Sequence, residues 1–271
     1  MTERPAAESP ESGAGREEPR GWLARLRHRR AARALERQLA SQRAKADALR
    51  GREDEVVRPR TARAGAVRER LERFRPLPRD ARVLEVGSGA HGLIFFFESS
   101  RGVGVDPLAA HYRPLFPVWQ GRAPTLAAAG EALPFPSGAF DVVLCDNVVD
   151  HAERPAAIVA ELARVLAPGG LLYFTVNVHH PVYGAASRLH GLWNGVGLRL
   201  EIGPFTDHTV HLTEDEARRM FAPLPLRVLE QSVERKDPGP ARHAGDLLKR
   251  VFFKNARFEA IAVREPHAPS S

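Results

Sequence analysis

"VLEVGSGAHG", Val83–Gly92, is the stretch on which the reading of this chain turns. Val83–Val86 are apolar apart from one acid, Glu85, as a strand buried on both faces would be, and Gly87, Gly89 and Gly92 follow at once. Glycines reach backbone conformations closed to other residues and put no Cβ in the way. Three of them after a strand therefore let main chain approach a ligand closely. Taken alone, the same spacing fits a tight turn that binds nothing. What decides between the two lies further along the chain.

On the C-terminal side, strand and helix signals alternate. "GVGVD", Gly102–Asp106, reads as a second strand, a weaker third lies near Thr125–Ala128, and "FDVVLCD", Phe140–Asp146, is a strong fourth. The helix "PAAIVAELARVL" and the turn "APGG" lead to a fifth strand, "LLYFTVN", Leu171–Asn177. A helix from Thr213 to Phe221 precedes two late strands near Leu226–Arg235 and Arg257–Val263. This alternation predicts an α/β fold: a Rossmann-like, seven-stranded, mostly parallel sheet with helices on both faces.

Two acids then narrow the ligand. Asp106 ends the second strand, where a carboxylate can accept hydrogen bonds from both hydroxyls of a ribose. Glu85 stands two residues before the first glycine. A dinucleotide pyrophosphate would sit at the next helix N-terminus, where further negative charge is unwelcome. S-adenosylmethionine instead offers a sulfonium and an α-amino group, and an acid suits that cationic ligand better.

Here the sequence resembles the class I S-adenosylmethionine-dependent methyltransferases, especially the group that includes the ubiquinone-biosynthesis enzymes. "LEVGSG" and "GVGVDP" resemble that family's first two motifs, and "GEALPFPSGAFDVVLCDNVVDH" and "ELARVLAPGGLLYFTVN" resemble the segments around its fourth and fifth strands. The resemblance implies that Glu85, Gly87, Ser88 and Gly89 border the methionine part and that Asp106 holds the ribose, with Pro107 and Leu108 beside it. It also implies an adenine contact, either through Glu131 or through the backbone of Gly130–Ala132 with packing on Leu108, and cofactor contacts at Asp146 and Asn147. Two departures stand out. His91 occupies the position where many relatives have a third glycine, which is displaced to Gly92, and Ala129 replaces an acid that often meets the adenine amine.

The acceptor side is marked by histidines. Residues 178–212 form a connection far longer than the usual ~2–6 residues of α/β units and contain His179, His180, His190, His208 and His211. Their placement after a strand's carboxyl end suits a lid over the acceptor. His151 follows the fourth strand and His180 the fifth, so both are candidates for a general base or an acceptor-orienting group. Asn147 and Asp150 soften the acid-rich sequence with which some relatives bind a divalent cation, and no metal is expected. The function that fits is O-methylation of a small-molecule or glycan-like acceptor. The rival readings are a degenerate methyltransferase fold acting as a binding module and a dinucleotide-dependent oxidoreductase.

The basic charge of the chain belongs to its first quarter. Met1–Arg75 carries 20 Lys+Arg against 12 Asp+Glu, whereas the whole chain is only +7, so the remainder is close to neutral. The expected organisation is a disordered tail over 1–20, a basic helical extension over 21–75, a methyltransferase domain over 76–265 with its lid insertion at 178–212, and a short tail over 266–271. Within the extension, Trp22–Leu49 and Thr61–Phe74 read as helices. Candidate roles for it are contact with an anionic membrane or nucleic acid and assembly of a homo-oligomer. Cys145 is the single cysteine, and no apolar run reaches the ~18 residues of a spanning helix. Both features fit a cytoplasmic protein without a transmembrane segment.

Overall fold

The computed structural model describes residues 36, 39–152, 154–179, 212–235 and 256–266, with His151 by its backbone. Seven strands form one sheet: β1 (Arg82–Val86), β2 (Arg101–Val105), β3 (Thr125–Leu126), β4 (Phe140–Asp146), β5 (Leu166–Val178), β6 (Leu226–Arg235) and β7 (Ala256–Arg264). Their order is β3-β2-β1-β4-β5-β7-β6. β3, β2, β1, β4 and β5 are parallel, and β7 runs antiparallel to β5 and β6. The strand order reverses between β1 and β4. In open α/β sheets that point opens a crevice beyond the carboxyl ends of the strands.

Apolar residues fill both faces, as parallel strands covered on two sides require. Leu84, Val86, Val143, Cys145 and Phe174 pack with Ile158 and Leu162 of the helix Pro155–Val165. Val83, Val142, Leu144 and Tyr173 belong to the opposite layer, with Ala64, Val67 and Leu71 of α1 (Asp54–Glu72). Side chains alternate along a strand, so Glu85, Asp146 and Thr175 all fall on the α1 face, near the carboxyl ends. At the other end of the sheet, the Arg82 side chain grips Asp141 through Nε and a terminal nitrogen at 3.0 and 2.8 Å. That pairing holds the Asp141 carboxyl down at about 2.

The extension expected over 21–75 divides. Residues 36 and 39–49 are helical, but a compact unit begins at Ala46, and α1 lies within it. The boundary moves from 76 to 46 because Ala64, Val67 and Leu71, spaced three and four apart, are buried in the sheet's own core. Helix α1 also runs Asp54–Glu72, starting seven residues before the expected Thr61. β5 begins at Leu166, ahead of the "APGG" turn. Leu166 already pairs with Phe140, and a register shift carries the ladder on to Leu171 opposite Val142. The helix Glu214–Arg219 opens on a capping box in which Thr213 and Glu216 satisfy each other's backbone N–H groups. Among the described residues no helix is long and apolar enough to cross a membrane.

Candidate active site

The loop after β1 folds back over β2: the N–H groups of Gly87 and Ser88 both donate to the Val105 carbonyl, at 2.7 and 3.1 Å. Gly87 (φ +72°) and Gly89 (φ +51°) hold left-handed conformations that favour glycine. A Cβ on Gly87 would also lie 2.3 Å from Val148, just after β4, so the ends of β1 and β4 meet here. At Gly89 the nearest atoms to such a Cβ are 3.9 Å away, one of them Asp106 Oδ2. The space a side chain would fill lies in front of Asp106.

Asp106 joins two loops. Its Oδ2 accepts from the Gly89 N–H at 3.1 Å and its Oδ1 from the Leu108 N–H at 2.8 Å. A carboxylate offers about four lone-pair sites, so one hydrogen bond on each oxygen leaves capacity for the hydroxyls of a ribose. Burial raises its pKa, against the pull of those two N–H groups. Glu85 is 1% exposed, and its oxygens accept from the N–H groups of Leu93 and Ile94 at 3.0 and 2.9 Å. The acid thus caps the 3-10 turn Leu93–Phe95, whose first N–H groups have no partner inside the turn. Burial pushes its pKa up to about 8 despite these bonds.

The His91 departure has a packing cause. The His91 ring lies against Phe116 and Trp119, at centroid distances of 4.7 and 5.3 Å. Trp119 Nε1 donates to the Ala90 carbonyl at 2.8 Å, and Gln120 Nε2 donates to the carbonyls of Gly89 and Ala90 at 3.0 Å each. Both residues are 1% exposed. Position 91 therefore carries a ring into an aromatic recess, while Gly92 leaves room for the Glu85 carboxylate.

Polar groups crowd the carboxyl ends of β4 and β5. Asp146 Oδ1 accepts from Thr175 Oγ1 at 2.6 Å and from Arg63 of α1 at 2.7 Å, and Arg257 of β7 lies 3.5 Å away. Asn147 sits at φ +59°, its N–H donating to the Thr175 carbonyl. Asp150 is fully buried, with Asn177 Nδ2 at 3.4 Å from its Oδ2, and the buried His179 donates its backbone N–H to Leu212.

Of the residues picked from the sequence, Glu85, Gly87, Ser88, Gly89, Asp106, Asp146 and Asn147 gather around the β1–β4 crevice. Ser88 turns its hydroxyl toward Gly104 of β2, where it is buried without a hydrogen-bond partner, so the loop side of Ser88 is main chain. Pro107 is exposed and Leu108 half-buried after β2. Gly130 packs on Val86 and Ile158, which sets the turn with Glu131 and Ala132 beside the end of β1. His151 lies in the 3-10 turn Val149–His151 after β4. His180 and lid residues 180–211 lie outside the described residues. Among the described residues no group of three His, Cys, Asp or Glu is arranged to hold a metal.

Sequence reasoning missed Arg60, Arg63, Thr175 and Arg257 on the α1 face and the Trp119–Gln120 brace. The helical period of α1 could have found Arg60 and Arg63, but nothing local marks the others. The glycine cradle and the remaining acceptor capacity of Asp106 fit the adenosyl end of S-adenosylmethionine.

Residues 84–174 match the model of a family described as a methyltransferase domain. Over 103 residues the chain is 34% identical to an uncharacterised methyltransferase of Mycolicibacterium gilvum, covering 37% of this chain and 40% of that protein. Over 99 residues it is 33% identical to one of Mycobacterium tuberculosis, covering 35% and 39%. The chain thus spans about two fifths of the length of the curated relatives it matches. A methyltransferase solved with a Haloferax volcanii methyltransferase activator superposes at TM-score 0.53 and 19% identity, over 85% of this chain and 97% of that one. Geranyl diphosphate C-methyltransferase from Streptomyces coelicolor superposes at 0.54 and 14%, over 75% and 77%. At these identities the solved structures establish a shared fold.

Proposed function

We propose that the protein, whose residues 84–174 match the methyltransferase-domain family, is a class I S-adenosylmethionine-dependent methyltransferase that methylates an oxygen of a small-molecule or glycan-like acceptor. Asp106 carries the cofactor side of this reading. Its carboxylate follows β2, next to β1, tied to the glycine loop through Gly89 and keeping lone pairs for two ribose hydroxyls.

When bound, S-adenosylmethionine supplies a methyl group on a cationic sulfur. The chain's own part is to hold and orient. Gly87 and Gly89 admit the ligand close to the backbone, Asp106 fixes the ribose, and the crowded ends of β4 and β5 border the path of the acceptor. As the acceptor oxygen bonds to the methyl carbon, the carbon–sulfur bond breaks and the hydroxyl proton must leave. His151 and His180, after β4 and β5, are the proposed general base or acceptor-orienting groups, since a neutral imidazole with a pKa of about 6.5 can take that proton. No metal enters this scheme. Alignment and exclusion of water supply much of the rate.

The test is a methyl-transfer assay with labelled S-adenosylmethionine against a metabolite extract. Label retained in an ether-linked or ester-linked methyl group supports the reading. Label on nitrogen or carbon, or no transfer with the cofactor bound, contradicts it.

A further inference from the structure

On the α1 face of the sheet, guanidinium donors without acceptors gather at the crevice. Farther along α1 the charges match: Arg70 pairs with Glu230 and Glu259, and Arg73 with Glu230 at 2.7 Å. Toward the crevice donor groups are left over. Arg63 and Arg257 both approach the single oxygen Asp146 Oδ1, at 2.7 and 3.5 Å, and the same Arg257 nitrogen also meets Glu259 Oε2 at 3.4 Å and the Tyr173 hydroxyl at 3.1 Å. Arg63 Nε is buried with no hydrogen-bond partner. Arg60 stands three residues before Arg63, on the same helical stripe as Ala64, Val67 and Leu71. It pairs with no carboxylate among the described residues. Its charge is felt by Glu85 at the end of β1.

We propose that Arg60, Arg63 and Arg257 bind an oxyanion, carboxylate or phosphate, carried by the methyl acceptor. A guanidinium presents a planar fork of donors matched to such groups. Donors left unpaired in a half-buried cleft are costly unless a ligand completes them. The cluster is also well placed. Asp146 is followed by Asn147 and Val148, and Val148 packs against Gly87 of the glycine loop. An acceptor anchored there would extend toward the methyl group.

The inference rests on the methyltransferase reading, and one set of titrations separates the two. Full-length protein saturated with S-adenosylhomocysteine is titrated calorimetrically with inorganic phosphate and with acetate. Saturable binding of at least one anion in the millimolar range is expected. Arg60→Gln and Arg257→Gln should each weaken it about tenfold, the loss of roughly one charge-assisted hydrogen bond, with S-adenosylhomocysteine affinity changed less than twofold. Arg257→Lys, which keeps the charge without the fork, should recover part of the loss. Absence of saturable anion binding to the loaded protein overturns the proposal. It is equally overturned if Arg60→Gln weakens S-adenosylhomocysteine tenfold but spares 5′-methylthioadenosine, because the anion served is then the cofactor's own carboxylate. A protein that binds neither nucleoside overturns the underlying methyltransferase reading as well.

Discussion

Gly92 and Glu85 compete for one space: a Cβ added to Gly92 would lie 2.3 Å from Glu85 Oε2 and 2.5 Å from the Ser88 carbonyl. The acid cannot withdraw, because the N–H groups of Leu93 and Ile94 hold both its oxygens. Gly92→Ala should therefore break the Glu85 cap or displace the loop. The expected outcome is destabilisation of about 2–3 kcal/mol, the range for leaving buried groups unpaired, with at least tenfold weaker S-adenosylhomocysteine binding. Thermal melts and calorimetry check it. Wild-type behaviour of the variant in both would show that the loop accommodates a side chain.

Glu85 should also make stability depend on pH. Its folded pKa of about 8 lies above the ordinary 4.5, so between those values the folded state binds more protons than the unfolded one. Stability then falls as pH rises through about 4.5 to 8 and is best retained on the acid side of that window. Asp141, whose folded pKa is depressed, acts oppositely, and its contribution is lost only as pH falls toward about 2. Denaturant unfolding of wild type and Glu85→Gln from pH 5 to 8.5 should show a downward slope for wild type that is flatter in the variant. Parallel profiles would mean that Glu85 is ionised in the folded protein.

The brace beneath the loop gives a third expectation. Gln120→Ala removes both hydrogen bonds to the Gly89 and Ala90 carbonyls without touching the space in front of Asp106. Cofactor affinity should fall about three- to tenfold, equivalent to about 1 kcal/mol, and Gln120→Glu should not restore it because a carboxylate cannot donate. Unchanged affinity in Gln120→Ala would show that Trp119 and the aromatic recess suffice.

The proposed acceptor-side chemistry falls to one of two histidines, His151 preferred over His180. Replacing one of them with Ala, His151 the preferred candidate, should slow turnover by roughly 10²–10⁴-fold and leave S-adenosylhomocysteine affinity nearly unchanged. Full activity in both variants, or activity abolished by EDTA and restored by magnesium, would exclude the base assignment.

The legible part of this molecule was the part written in contiguous residues. Phe140–Asp146 runs as read, because an apolar run between breakers decides a strand locally, and Leu226–Arg235 keeps the bounds read for it. The glycines and Asp106 were legible because a loop's function constrains neighbours in sequence. The role of Glu85 was only half visible. An acid in that position suits a cation, but its grip on Leu93 and Ile94 depends on a turn that spacing does not fix. The α1 contacts were out of reach. Arg70 meets Glu259 across 189 residues, and α1 reads as a charged surface helix until the sheet is there to cover. The "APGG" strand start was hidden for a related reason, since Leu166 joins β5 through its pairing with Phe140.

The central claim, that Asp106 and the glycine loop hold S-adenosylmethionine, is tested most directly by calorimetric titration of wild type and Asp106→Ala with S-adenosylhomocysteine and with NADH. The account predicts that wild type binds S-adenosylhomocysteine and ignores NADH, and that Asp106→Ala loses roughly 1.5–3 kcal/mol, the worth of a hydrogen bond to a charged group. Binding of NADH with no binding of S-adenosylhomocysteine, or equal S-adenosylhomocysteine affinity in the two proteins, would contradict it.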